Sequence, residues 1–133
     1  MTHTAHQKSK WKLRELQKKT FKVGLIHGDL CPRNVILSNK EVYLLDWGTA
    51  EINVIPHHEI GLVMLEKEAN EAEFDNFMEG LGVSNLAFNK MKADILKFNF
   101  LHRLDKYRWA ESYDLENIAT YGKKIKEAFE RIK

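Results

Sequence analysis

The chain has 133 residues, of which 44% are hydrophobic and 30% charged, and its net charge is +2. These fractions are typical of a globular domain and argue against a disordered or collagen-like chain. No apolar run approaches the roughly 18 residues of a membrane span, and the basic, polar N-terminus lacks the apolar segment of a secretory signal. We therefore expect one cytoplasmic domain over residues 1–133 with no membrane partner. The single cysteine, Cys31, excludes an internal disulfide and a cysteine-based zinc site.

Positive charge is concentrated at the N-terminus. Residues 1–22 contain seven Lys or Arg and one Glu, whereas the rest of the chain contains 14 basic and 18 acidic residues. We expect residues 1–7 to be disordered and residues 8–20 to form a basic helix. Such a segment can bind nucleic acid or acidic lipid, but no aromatic platform or nucleic-acid module accompanies it. We therefore favour a solvated helix face and expect no nucleic-acid partner.

A hairpin pattern follows. Val35–Leu37 and Val42–Leu45 are apolar, and the four polar residues 38–41 separate them, as in a β-hairpin with a polar loop. The two open ends of a hairpin lie side by side. We therefore expect Asn34 and Asp46 to emerge together at that end.

Asp29 lies just before this hairpin, in a loop after a predicted short strand within residues 21–26. Phosphoryl transfer needs oxygen ligands for Mg²⁺ and one carboxylate that orients the attacking hydroxyl. Mg²⁺ prefers hard oxygen donors, so Asn34 and Asp46 are candidate ligands and Asp29 is a candidate base. The alternative is purely structural, because Asp and Asn also favour turns by bonding to their own backbone.

Two motifs carry a family resemblance. HGDLCPRN at residues 27–34, followed by DWGTA at residues 46–50, resembles the signature of the aminoglycoside phosphotransferase and choline kinase-like family, small-molecule relatives of the protein kinases. The resemblance implies an α+β fold, mainly α, that corresponds to a kinase-like C-terminal lobe. In such a lobe, one short β-hairpin carrying the catalytic loop and the metal-binding Asp (residues 21–50) joins a helical subdomain (residues 56–133).

The resemblance also implies roles for single residues. Asp29 would be the catalytic base, Asn34 and Asp46 would bind Mg²⁺, and ATP would donate the phosphate. His27 would brace the loop. Arg33 is expected to reach a phosphate of the nucleotide, with a solvated loop charge as the alternative.

Helical patterns fill the chain after a predicted loop over residues 51–55. Gly80-x-Gly82 signals a helix end, and Ser84 and Asp114 are candidate N-caps. We predict helices over residues 57–70, 74–81, 84–109 and 114–132.

Two other candidate sites, a nucleophilic cysteine and a histidine metal site, are less well supported by the sequence. A nucleophilic Cys31 would need a thiolate and a base, and only His27 is close in sequence. The His57-His58-Glu59 run suggests a metal site, but adjacent helical residues point in different directions and zinc motifs prefer i, i+4 spacing. Glu59 is also the best-placed acid to brace the catalytic loop from below, a role that an Asp in this region fills in related kinases.

Related kinases carry an N-terminal lobe with a glycine-rich loop and a lysine over the phosphates, and neither can be placed before the HGD motif. Three alternatives stay open. The first is a C-terminal lobe whose N-lobe is on another chain or was lost. The second is a self-sufficient kinase in which the basic helix, through Lys18, Lys19 and Lys22, or a second copy of the chain covers the phosphates. The third is a non-catalytic binding or regulatory module.

The uncovered hairpin edge favours association. We therefore expect a homodimer or a partner chain that bears the N-lobe. We expect a nucleotide and a small hydroxylated substrate as the ligands. Aminoglycoside, choline, sugar and protein acceptors all remain open.

Overall fold

The computed structural model describes residues 13–66 and 71–132. The chain divides into two compact units, one comprising Phe21–Phe88 and the other the described residues on either side of it. The predicted class, a mainly helical chain with small antiparallel sheets, is confirmed. The single-domain organisation stays a prediction. Within the described residues, no helix is long and apolar enough to cross a membrane.

The predicted disorder of residues 1–7 lies outside the described residues, as do residues 8–12 of the predicted basic helix over residues 8–20. The end of that helix is described. It closes in a one-turn 3-10 helix at Leu16–Lys18, and the Lys19 backbone N–H donates to Leu16 O at 3.1 Å.

The first sheet of the Phe21–Phe88 unit pairs β1 (Val23–Ile26) with β4 (Glu51–Val54) in antiparallel register, with Leu25 opposite Ile52. The expectation of a loop over residues 51–55 is therefore wrong. Glu51-Ile52-Asn53-Val54 alternates polar and apolar residues, which is the period of a half-buried strand. The inner face of β1 buries Ile26, which is 3% exposed.

The second sheet is the predicted hairpin, β2 (Val35–Ser38) and β3 (Glu41–Leu44). Its loop is shorter than predicted, because Ser38 pairs with Glu41 and only Asn39 and Lys40 turn, both with positive φ (51° and 66°). Two such residues are typical of a type I′ turn, whose twist matches that of the strands. The predicted fold with one hairpin is thus corrected to two separate two-stranded sheets.

Two helices complete this unit. α1 (His57–Glu66) begins after Pro56, and the remainder of the predicted helix, residues 67–70, lies outside the described residues. α2 (Glu71–Gly80) ends as predicted. Gly82 has a φ of 67°, the Val83 N–H donates to Met78 O at 3.0 Å and the Gly82 N–H to Glu79 O at 2.9 Å, the two bonds of a Schellman motif.

The long helix α3 (Asn85–Tyr113) begins at the predicted cap, because Ser84 Oγ accepts from the Ala87 N–H at 3.2 Å. It runs four residues beyond the predicted end at Trp109. Two of its apolar residues are exposed, Leu86 at 68% and Leu101 at 41%.

In the second unit, α4 (Ile118–Ile132) packs its apolar face on α3 around Phe100, Ala128 and Ile132. The prediction that the Asp114 side chain caps this helix is wrong, because that side chain makes no hydrogen bond to the helix backbone. It accepts instead from Asn117 Nδ2 at 2.8 Å and Tyr121 Oη at 3.0 Å.

Buried charges also join this unit together. Lys97, 6% exposed, donates to Glu15 Oε2 at 2.7 Å and lies 3.7 Å from Asp94 Oδ1. The buried Asp94 carboxylate accepts from Lys19 Nζ at 2.6 and 2.8 Å. Lys19, one of the lysines suggested as a phosphate cover, therefore forms an ion pair with α3.

Candidate functional site

The loop between β1 and β2 carries the HGD motif, and Gly28 determines its path. Gly28 has a φ of 82°, and a Cβ atom there would lie 2.4 Å from the Thr49 carbonyl oxygen. Thr49 Oγ1 in turn donates to His27 O at 3.0 Å. The loop therefore runs against the segment after β3 so closely that only glycine fits.

His27 is buried and joins the loop to the end of the hairpin. Its Nδ1 accepts from the Asp29 N–H at 3.2 Å, so Nε2 carries the proton and donates to Leu45 O at 2.7 Å. The ring also meets Trp47 edge-on, with 4.8 Å between the centroids. These contacts suit the bracing role predicted for His27.

Glu59 holds the same loop from α1. Its carboxylate is 9% exposed, and Oε2 accepts from the His27 N–H at 3.1 Å and the Gly28 N–H at 3.5 Å. Oε1 is buried and finds no hydrogen-bond partner among the described residues. Glu59 is thus the acid under the loop that the sequence suggested.

Asp29 lies at the centre of the site, with its side chain 25% exposed. Its Oδ1 accepts from Arg33 Nη2 at 2.6 Å and its Oδ2 from Asn34 Nδ2 at 3.0 Å. Partial burial raises the pKa of Asp29, but these hydrogen bonds and the Arg33 charge outweigh it, and the pKa lies below its usual value of 3.8. Asp29 is therefore a carboxylate at neutral pH.

Cys31 is buried beside Asp29, with its Sγ 3.4 Å from Asp29 O and 3.7 Å from Oδ1. The thiol therefore donates to the aspartate.

Asp46 follows β3 at the open end of the hairpin, in a left-handed conformation with φ 56° and ψ 67°. Its neighbour Leu45 donates a backbone N–H to Asn34 O at 2.8 Å. The hairpin thus brings the backbones of residues 34 and 46 together, as predicted. The Asp46 side chain is exposed, whereas Asn34 is buried and its amide N–H also donates to Asp29 O at 2.9 Å.

The predicted site residues fall into one region of the Phe21–Phe88 unit. His27, Arg33 and Asn34 each contact Asp29, and Asp46 lies at the hairpin end beside Asn34. Sequence reasoning missed Thr49, because its bond to His27 spans 22 residues and leaves no local pattern. The described residues contain no group of three or more His, Cys, Asp or Glu placed to hold a metal ion. The predicted Asn34–Asp46 pair falls outside this description, because it has two residues and one of them is an asparagine.

Comparison with known proteins gives the family. The sequence pattern of the phosphotransferase enzyme family matches residues 4–92, more than half of the chain. A probable serine/threonine-protein kinase BUD32 homolog from Archaeoglobus fulgidus is 50% identical to this chain over 32 residues. That match covers 24% of this chain and only 16% of the length of the relative. No solved structure matches the chain. The resemblance predicted from the HGD and DWG motifs is confirmed, and the chain belongs to the phosphotransferase enzyme family.

Proposed function

We propose that the chain is an ATP-dependent phosphotransferase domain that transfers the γ-phosphate of ATP to a hydroxyl of a small molecule. Asp29 is the catalytic base, Asn34 and Asp46 hold Mg²⁺, and His27 braces the loop. The observation that carries the proposal is the Asp29 carboxylate, which accepts from Asn34 at 3.0 Å beside the hairpin end that holds Asp46. Family membership supports phosphate transfer in general. The choice of ATP as the donor and of a small hydroxylated molecule as the acceptor belongs to the proposal.

The donor set suits magnesium. Asn34 gives its Nδ2 to Asp29, so the amide oxygen is the atom left to bind a cation. Asp46 adds an exposed carboxylate, and hard oxygen donors of this kind are those that Mg²⁺ prefers. When bound, Mg²⁺ would neutralise charge on the phosphates. Asp29 would orient the acceptor hydroxyl and take its proton, which its carboxylate form allows.

We also propose that a nucleotide-binding N-lobe, on a partner chain or in a second copy, completes the site. Apolar side chains are exposed on both sheets. Leu37 and Val42 face each other across the hairpin and are 76% and 68% exposed, and Leu25 and Ile52 do so across the other sheet at 62% and 69%. Exposed apolar patches of this kind mark interaction surfaces.

Calorimetric titration of Mg·ATP into the chain tests the function. We expect binding that disappears in EDTA and in Asp46→Asn. Asp75→Asn, which removes an exposed carboxylate from α2, serves as the matched control and should bind as the unaltered chain does. Phosphate transfer to an acceptor panel, lost in Asp29→Ala, would then establish the reaction.

The alternative is a non-catalytic kinase-like module that acts with a partner chain, which the exposed apolar pairs also favour. The same titration separates the two. Magnesium-dependent binding that ignores Asp46→Asn, or no binding at millimolar ATP even with a partner lobe supplied, would count against the enzyme and favour the module.

A further inference from the structure

Arg33 places a guanidinium on the carboxylate proposed as the base. Its Nη2 donates to Asp29 Oδ1 at 2.6 Å, across a one-turn 3-10 helix at Pro32–Asn34. The other oxygen, Oδ2, accepts from Asn34 Nδ2 at 3.0 Å. Both oxygens of Asp29 therefore have a donor. Each carboxylate oxygen can accept more than one hydrogen bond, so an acceptor hydroxyl reaches Oδ1 either beside the Arg33 guanidinium or in its place.

The Arg33 bond is the one that a substrate can displace. The Arg33 side chain is 64% exposed, and water weakens such ion pairs. Asn34 is buried and bonds both the side chain and the backbone of Asp29. Since a base lies about 2.6–3.2 Å from the hydroxyl it deprotonates, a hydroxyl at Oδ1 would come within about 6 Å of Arg33 Nη2.

A fixed positive charge at that distance selects acceptors by charge. Arginine stays protonated across physiological pH, so the discrimination is always present. An ammonium group beside the reacting hydroxyl, as in an aminoglycoside or choline, would be repelled. A phosphate or carboxylate would be attracted, and the planar guanidinium can bind either through two parallel hydrogen bonds.

We propose that the acceptor carries an anionic group, a phosphate or a carboxylate, beside the hydroxyl that is phosphorylated, and that Arg33 leaves Asp29 to bind it. This inference rests on the proposed function and names its acceptor class. Arg33 is then a specificity-determining residue, because the acceptor anion draws the guanidinium away and frees Oδ1. The hydroxyl oxygen bonds to the γ-phosphorus as the bond to the ADP oxygen breaks, and Asp29 takes the proton and later releases it to water.

NMR of the isotope-labelled full chain tests the proposal, with the Arg33 Nε–H signal assigned by its loss in Arg33→Gln. The probes are glycerol and glycerol 3-phosphate, a pair that differs by one anion, with and without a non-hydrolysable Mg·ATP analogue. We expect glycerol 3-phosphate, and not glycerol, to shift the Arg33 signal and the amides of Gly28–Leu30. Arg33→Gln should weaken its binding about tenfold or more, since hydrogen bonds to charged groups carry that much affinity. Arg33→Lys should retain part of it.

Lys40→Asn is the matched control, because it removes one positive charge from the exposed hairpin turn and Asn tolerates its positive φ. It should leave the affinity unchanged. Equal affinity for glycerol and glycerol 3-phosphate, or equal affinity in the unaltered chain and Arg33→Gln, would overturn the proposal. An Arg33 shift caused by the nucleotide analogue alone, without anion preference in the acceptor, would assign Arg33 to the nucleotide phosphates and also overturn it.

These readouts need no turnover, so they separate the two proposals. If nucleotide binding is insensitive to Asp46→Asn while Arg33 still selects the anionic probe, the proposed function fails and the anion site stands. If the nucleotide binds through Asp46 without anion selection, only the acceptor class fails.

Discussion

Gly28 determines the backbone path of the candidate site. Its φ of 82° lies in the region that side chains disfavour, and the Thr49 carbonyl leaves no room for a Cβ. The hydrogen bond from the Asp29 backbone N–H to His27 therefore depends on a backbone conformation at residue 28 that only glycine adopts without strain.

Gly28→Ala should destabilise the fold by about 1–3 kcal/mol or more, because it adds both backbone strain and a clash. Gly80→Ala is the control, since no atom lies within 4 Å of its added Cβ and its φ is not positive. We expect that change to stabilise by about 0.4–1 kcal/mol. Urea unfolding followed by tryptophan fluorescence measures both, and equal effects would contradict the account of Gly28.

Glu59 gives a second prediction at this scale. Glu59→Ala leaves the buried His27 N–H and the partly buried Gly28 N–H without their acceptor and should cost about 1–3 kcal/mol, mainly for the His27 group. Glu59→Gln keeps an acceptor oxygen and should cost less. Glu79→Ala, on the exposed face of α2, should change the free energy of unfolding by less than about 0.5 kcal/mol. Equal losses in the Ala and Gln variants would show that the acceptor oxygen is not what matters.

His58 gives the stability a dependence on pH. Burial lowers the pKa of His58 below 6.5, although Glu51, 3.7 Å away, and Glu59 partly oppose the shift. The unfolded chain therefore takes up a proton first as the pH falls. The stabilisation is complete above about pH 6.5 and is lost below it, down to the folded-state pKa. Unfolding measured at about pH 7.5 and about pH 5.5 should show a larger loss for the unaltered chain than for His58→Gln. Equal losses would contradict the shift.

At the scale of elements, the sequence predicted those helix ends and turns that depend on residues close together in the chain. The hairpin, the Gly82 helix stop and the Ser84 cap depend on residues close in sequence, and all three are present. β4 was missed because four residues of weak alternation are ambiguous until β1 pairs with them.

The candidate site likewise combines locally predicted and long-range contacts. The HGD and DWG motifs predicted that Asp29, Asn34 and Asp46 lie at one loop and hairpin end. The bond between Glu59 and His27 spans 32 residues, so the sequence could only suggest it. The pairing of Arg33 with Asp29 depends on a side-chain rotamer that no spacing determines.

The buried ion pairs of α3 give a testable coupling. Asp94→Ala removes the partner of Lys19 and leaves Lys97 with less negative charge around it, so we expect a loss of about 3 kcal/mol. Adding Lys97→Met should recover part of that loss, because the stranded ammonium is then gone. A double-mutant cycle by urea unfolding measures the coupling. Strictly additive losses would mean that Asp94 and Lys97 act independently.

For the whole molecule, the exposed apolar pairs predict association. Sedimentation at increasing concentration should show self-association of the chain, or binding of an N-lobe where one is supplied. Leu37→Thr with Val42→Thr should weaken it, because the pair loses apolar surface while keeping residues suited to strands.

Leu86→Thr is the control for this experiment, since Leu86 is equally exposed but lies at the start of α3. It should leave the association unchanged. A chain that stays monomeric at high concentration and binds no lobe would contradict the proposed partner.

The left-handed backbone of Asp46 has an evolutionary consequence. Asparagine and glycine adopt φ near 56° at least as readily as aspartate does, and aspartate becomes asparagine by a single nucleotide change. The carboxylate could thus be lost in one step, and folding would exert little selection against that step. Among descendants of this chain, loss of the metal binding proposed for Asp46 should therefore leave expression and solubility almost unchanged. A direct assay of Mg·ATP binding would be needed to distinguish a descendant that keeps the proposed site from one that has lost it.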